Sequence, residues 1–262
     1  MSDVLDELAE SALTRVDSGY YEVGKRGKVE VTSTPFTEKI REVDHDPVIG
    51  EIKPGSPSQG RLFDETFDPS ELGRVYSEGG AAGFSVLTDP DHFFGSLDNL
   101  ARVAELEEPT LMKDFIVDYS QIRAGQRLGA DAVLFIQRLF ARNIPSFGLE
   151  EGIKYTQNLE MEVLLETNDL TEYESALETN ADMIGINNRD LRSLEVDLTR
   201  TKNILSEAGK DRIIWSMSGI SSQSDIKFLV NAGADAFLIG TSLARTENPK
   251  SFLGNLLGDP DG

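Results

Sequence analysis

Four segments of the chain lead into an apolar run in the same way: GGAAGFSVL (79–87), GADAVLFI (129–136), NADMIGI (180–186) and GADAFLIG (233–240). In each, Gly or Asn ends a helical pattern, small residues follow, and the run begins. Parallel strands buried on both faces read as such continuous runs, and helical crossovers must separate them. Eight runs can be counted, at 47–53, 83–88, 109–114, 131–137, 161–167, 182–188, 212–218 and 235–240. The stretches between them are helical, as in 68–80 with Leu72, Val75 and Tyr76 on one face and 222–233 with Ile226, Leu229 and Val230 on another. Eight strand–helix units predict an α/β fold of the (β/α)8 TIM-barrel kind. A doubly wound open sheet is the competing arrangement. VLDELAESALTRVD (4–17) has an amphipathic helical pattern ahead of the first run. The expected organisation is one domain over 1–262, with 1–46 an N-terminal helical extension and 47–262 the barrel.

Charge and cysteine usage narrow the function classes. The net charge is −21, from 46 acids and 25 bases. Phosphate backbones are bound by basic patches, so no nucleic-acid partner is expected. No run reaches the ~18 apolar residues of a membrane span. The first ten residues, MSDVLDELAE, are acidic and polar, unlike a signal peptide. With no cysteine and two isolated histidines, His45 and His92, neither a disulfide framework nor a metal site is expected. A soluble, cytoplasmic protein follows as the expectation. An acidic, lysine-poor but well-patterned chain also reads as adapted to very high salt, where charge is screened over ~3 Å at 1 M.

In a barrel of this kind function collects at the C-terminal ends of the strands. The first run, within VIGEIKPGSPSQG (48–60), carries Glu51 and Lys53, two positions apart and therefore on one face. The third ends with Lys113 and Asp114, and the fifth with Glu166 after apolar residues. The sixth ends with Asn187, Asn188, Arg189 and Asp190. A single charge at a strand end reads as a solvated rim salt bridge. Two lysines, two glutamates and an asparagine around one mouth read as a reactive set, because buried ions are costly unless paired. A lysine ammonium can protonate a carbonyl oxygen, and a neutral lysine can form a Schiff base. A glutamate in an apolar strand binds its proton more tightly and can act as a base near neutral pH. No Ser–His–Asp set is apparent, so the reading is general acid–base chemistry without a cofactor. SGISS after the seventh run and GTSLA after the eighth add Gly–Ser/Thr loops of the kind that hold a phosphate on backbone N–H groups.

EIKPGSPSQG (51–60) resembles the first-strand motif of the indole-3-glycerol-phosphate synthase family, usually E-I-K-R-x-S-P-S-x-G. The likeness continues in order through SVLTDPDHFFGSL (85–97), LMKDFIVD (111–118), ADAVLFI (130–136), VLLET (163–167), IGINNRDL (184–191), SGIS (218–221) and AFLIGTSL (236–243). It implies a small phosphorylated substrate, 1-(2-carboxyphenylamino)-1-deoxyribulose 5-phosphate, that undergoes ring closure, decarboxylation and dehydration. It implies Lys113 as general acid and Glu166 as general base, with Lys53 at the substrate carboxylate and Glu51 orienting it or sharing the work. Asn187, Arg189 and Ser218 match substrate contacts; Leu87, Phe93 and Leu134 match the apolar walls. Ser56, Gly219, Gly240 and Thr241 match the phosphate cradle. No cofactor is implied; a monomer with pathway-enzyme contacts is the expected state.

Two departures stand out. Met217 replaces the family's usual glutamate before Ser-Gly-Ile, at what is expected to be a polar rim. Pro54 replaces the basic residue that usually follows the lysine. Two other readings stay open. One is a sugar-phosphate isomerase of the same barrel class, like phosphoribosylanthranilate isomerase, although the Cys–Asp-type pair it would want has no cysteine here. The other is a catalytically impaired ligand-binding barrel, for which Met217 is the support.

Overall fold

The structure, a computed structural model, describes residues 4–24, 34–57, 59–63, 66–190 and 195–258. Met1–Asp3, Ser58 of the first-strand motif and Leu191 of the sixth lie outside the described residues. Eight parallel strands close into a barrel: β1 Val48–Ile52, β2 Gly83–Leu87, β3 Thr110–Lys113, β4 Ala132–Ile136, β5 Glu162–Thr167, β6 Met183–Asn187, β7 Ile213–Met217 and β8 Ala236–Ile239. Every one lies inside one of the eight apolar runs. Ile49 of β1 pairs with Leu238 of β8, so the sheet is closed and the open-sheet alternative is excluded.

The repeated Ala-Asp phrase has a physical cause. The Asp131 carboxylate, just before β4, accepts the Thr110 N–H at the start of β3 (2.7 Å). Asp182 does the same for Val163 at the start of β5 (2.8 Å), and Asp235 for Ile214 near the start of β7 (2.9 Å). Each aspartate thus satisfies a backbone donor that the parallel ladder leaves open and fixes the register of two neighbours. GGAAGFSVL lacks the aspartate, and Ala82 there meets the preceding strand by a backbone bond alone, its N–H to Val48 O at 2.8 Å. Some of the helices between strands start at side-chain caps. Asp118 with Gln121, and Ser222 with Asp225, form capping boxes.

Among the described residues, two helices precede the barrel and lie at opposite ends of it. α2, Phe36–Glu42, sits at the strand starts, where Phe36 packs edge-on against Trp215 with ring centroids 5.1 Å apart. Its first turn is anchored by Glu162, whose carboxylate accepts the Thr37 N–H at 3.3 Å; an anion there also suits the helix dipole. α1, Val4–Asp17, instead reaches the strand C-termini, with Leu5 and Leu8 buried there.

Barrel closure sorts the inward-facing side chains into layers. The register runs from Glu51 through Ser85 to Leu111, and Lys113 lies two residues further along β3. Applied around the barrel, that two-residue step per pair of strands is the stagger of an eight-stranded barrel. It places Glu51, Lys113, Glu166 and Met217 of the odd strands in one layer. Beneath it come Ser85, Leu134, Gly185 and Leu238 of the even strands, then Ile49, Leu111, Leu164 and Trp215. Apart from Ser85 and Gly185, the lower layers pack as an apolar core. The top one is ionic.

Candidate active site

A cavity of about 320 Å³ opens above that layer, at the C-terminal mouth. Glu51, Lys113 and Glu166 line it, as do Lys53, Asn187, Arg189 and Ser218. Leu87, Phe93 and Leu134 supply apolar wall. Of the four phosphate candidates, Ser56 and Thr241 border the cavity. Gly219 and Gly240 are not among its lining residues. At Gly240 a Cβ would stand 2.1 Å from Glu51 Oε2, so glycine here makes room for the Glu51 carboxylate. Gly219 has φ of 87°, and a Cβ there would meet Val196 at 2.2 Å.

Glu51 is the electrostatic centre. Its carboxylate lies 2.7 Å from Lys113 Nζ and 3.4 Å from Lys53 Nζ. Burial pushes its proton affinity up, but Lys113 and then Lys53 outweigh this and hold its pKa down at about 2. Burial acts on Lys113 in the opposite sense; Glu51 and Glu166 more than offset it, so Lys113 stays cationic with a raised pKa. Glu166 differs. Burial raises its pKa, and Lys113 together with the Asn187 hydrogen bond only partly counters that. Asn187 donates through Nδ2 to Glu166 Oε1 at 3.0 Å and accepts the Arg189 N–H on Oδ1 at 3.0 Å. The mouth thus holds a fixed cation able to give a proton and a carboxylate tuned to take one. Among the described residues no group of His, Cys, Asp or Glu is arranged to hold a metal.

Residues away from the strand ends complete the mouth. Val4, Leu5 and Leu8 of α1 form part of the cavity wall. The helix is tied down by Arg15, which reaches Asp91 (2.9 Å), Asp114 (3.1 Å) and Asp89 (3.4 Å). Tyr21 and Thr88 also donate to Asp114, at 2.8 and 2.7 Å. Asp114 adjoins Lys113 in sequence, so the clamp links the wall to the strand that carries this lysine. Nothing periodic in 4–17 marks Arg15 for this: it is a basic residue on a buried helical face, legible only as an exception to that face's apolarity.

Met217 corrects the rim expectation. It is 1% exposed, is not among the cavity-lining residues, and would contact a Cβ on Gly185 through Sδ at 3.0 Å. It shares the ionic layer with Glu51, Lys113 and Glu166 but is buried and does not reach the cavity. Met217→Glu is therefore expected to fold with a lowered Tm, because a carboxylate is desolvated there. Its kcat should equal or exceed that of the parent, because the added acid joins the layer that holds Lys113. Thermal melting and steady-state rates check both; a kcat below a tenth of the parent value would show that the site is built around the thioether.

Fold and mouth together define a class: a (β/α)8 barrel whose strand C-termini gather lysines and glutamates around one cavity. A family model described as indole-3-glycerol phosphate synthase matches residues 5–256. The chain is 46% identical over 214 residues to the indole-3-glycerol phosphate synthase of Carboxydothermus hydrogenoformans, covering 80% of this chain and 78% of that one. It is 35% identical over 258 residues to the synthase of Aliarcobacter butzleri, covering 97% and 96%. A solved structure described as "Native KDPGal structure" superposes with a TM-score of 0.58 at 13% identity, over 81% of this chain and 93% of that one, a likeness of fold alone. The chain belongs to the indole-3-glycerol phosphate synthase family.

Proposed function

We propose that this lyase of tryptophan biosynthesis works through Lys113 as general acid and Glu166 as general base. The substrate is 1-(2-carboxyphenylamino)-1-deoxyribulose 5-phosphate and the product indole-3-glycerol phosphate. Lys113 protonates the ribulose carbonyl oxygen as the ring closes. Loss of CO2 restores the electron pair, and Glu166 takes the proton whose removal accompanies loss of water. Lys53 receives the substrate carboxylate, and Glu51 keeps both lysines charged and aimed. Asn187, Arg189 and Ser218 contact the polar parts of the substrate, and Leu87, Phe93 and Leu134 the aromatic ring. Ser56, Gly219, Gly240 and Thr241 form the phosphate end. The observation that carries this is the opposed tuning of two neighbouring groups, a lysine held cationic and a glutamate held basic. Indole fluorescence appearing on incubation with the substrate tests it; neither an isomerase nor an inert binding barrel would produce it.

The proposal extends to a single domain acting as a monomer in the cytoplasm of a high-salt cell. Among the described residues no helix is long and apolar enough to cross a membrane. At a net charge of −21, surface carboxylates repel one another across ~30 Å at 0.01 M ionic strength but only ~3 Å at 1 M. The anionic substrate also approaches an acidic protein more slowly at low salt. Tm and kcat/KM should both rise from low salt to molar KCl, Tm steadily and kcat/KM to a maximum, since screening eventually weakens the lysine–anion contacts. Equal Tm values at low and molar KCl would refute the salt adaptation and leave the chemistry untouched.

A further inference from the structure

Ser218 has φ of 69° and is followed by Gly219 at 87°. Left-handed backbone comes freely to glycine but is uncommon at a residue with a Cβ, so something must hold Ser218 there. The side chain beside it that is best placed to do so is Asn188, which is fully buried and follows β6. Its Nδ2 donates to Ser216 Oγ (2.9 Å), Met217 O (3.0 Å) and Ser218 O (3.3 Å). Its backbone N–H donates to Met217 O as well, at 2.9 Å. Its Oδ1 accepts from the Thr201 hydroxyl (2.8 Å) and the Thr201 N–H (3.3 Å), on helix Thr199–Ala208. Thr201 Oγ1 and Ser216 Oγ are themselves 2.9 Å apart. One amide therefore grips three successive residues at the end of β7 and fixes them to a helix behind the barrel, away from the cavity.

We propose that Asn188 is a positioning residue for the phosphate end of the substrate: it imposes the left-handed turn at Ser218–Gly219 and so aims the hydroxyl and N–H groups there. This rests on the reading of that turn as part of the phosphate site. Asn188 does not line the cavity, and the acid–base pair Lys113 and Glu166 stands on other strands, so binding should depend on it and the chemical step should not.

The test is a double-mutant cycle. Asn188→Ala should raise KM for the substrate, and the inhibition constant of inorganic phosphate, by about tenfold, with kcat within about threefold, the scale of a lost hydrogen-bond contact. In a Ser218→Gly background the turn no longer needs to be imposed, so the same substitution should raise KM by less than about threefold. Should the alanine variant fail to fold, Asn188→Ser, which keeps a small polar side chain, serves in both backgrounds. An equal rise in KM with and without Ser218→Gly would make Asn188 a structural residue only and overturn the proposal. Phosphate that competes with substrate equally well in parent and variant would also overturn it while leaving the phosphate site standing. Phosphate that fails to compete even in the parent would overturn the phosphate reading itself, and this proposal with it.

Discussion

Lys113→Ala is expected to lower kcat by about 10²–10⁴-fold, the usual loss when a positioned general acid is removed, while the barrel still folds. The ammonium stands at the end of β3 with 21% of its side chain exposed, so truncation opens space at the mouth and leaves the apolar layers below intact. The cost in stability comes through Glu51. Deprived of its 2.7 Å partner, this buried carboxylate is left with Lys53 at 3.4 Å. With water able to enter from the mouth, that loss should be about 1–3 kcal/mol, a few degrees in Tm for a chain of this size. Glu51 should then bind its proton more readily than in the parent, where its pKa is held at about 2. Steady-state rates and thermal melting are the measurements. A folded variant with more than half of the parent kcat would remove Lys113 from the mechanism.

Glu166→Gln is expected to cost about 10²–10⁴-fold in kcat with a much smaller change in KM, because the amide cannot accept a proton but keeps the shape and an oxygen for Asn187. The pH profile adds a second criterion. A base works when ionised, and burial raises the Glu166 pKa. Activity in the parent should therefore fall on acidification at a pH above the ordinary glutamate range. The residual rate of the glutamine variant should lack that limb. If KM rises while kcat holds, Glu166 binds substrate and does not take the proton.

The strands were legible because their signal is local: an apolar run of a few residues, bounded by glycine and small residues, needs no partner to be recognised. The strand-end residues were legible for a related reason, since alternation alone puts Glu51 and Lys53 on one face, and function gathers at strand ends in such a barrel. Neither kind of pattern says which side chain meets which across the sheet. Barrel closure decided that. Its stagger set Glu51, Lys113, Glu166 and Met217 in one layer, made Glu51 the shared partner of two lysines, and left Met217 buried where the sequence suggested a rim. It also divided the N-terminal helices, sending α2 to the strand starts and α1 over the mouth, where Arg15 meets Asp114, 99 residues away in sequence. Local periodicity fixes which face of an element is apolar. The placement of charges on that face is a property of the closed sheet, because only there does a buried ion find the counter-charge that makes its burial tolerable.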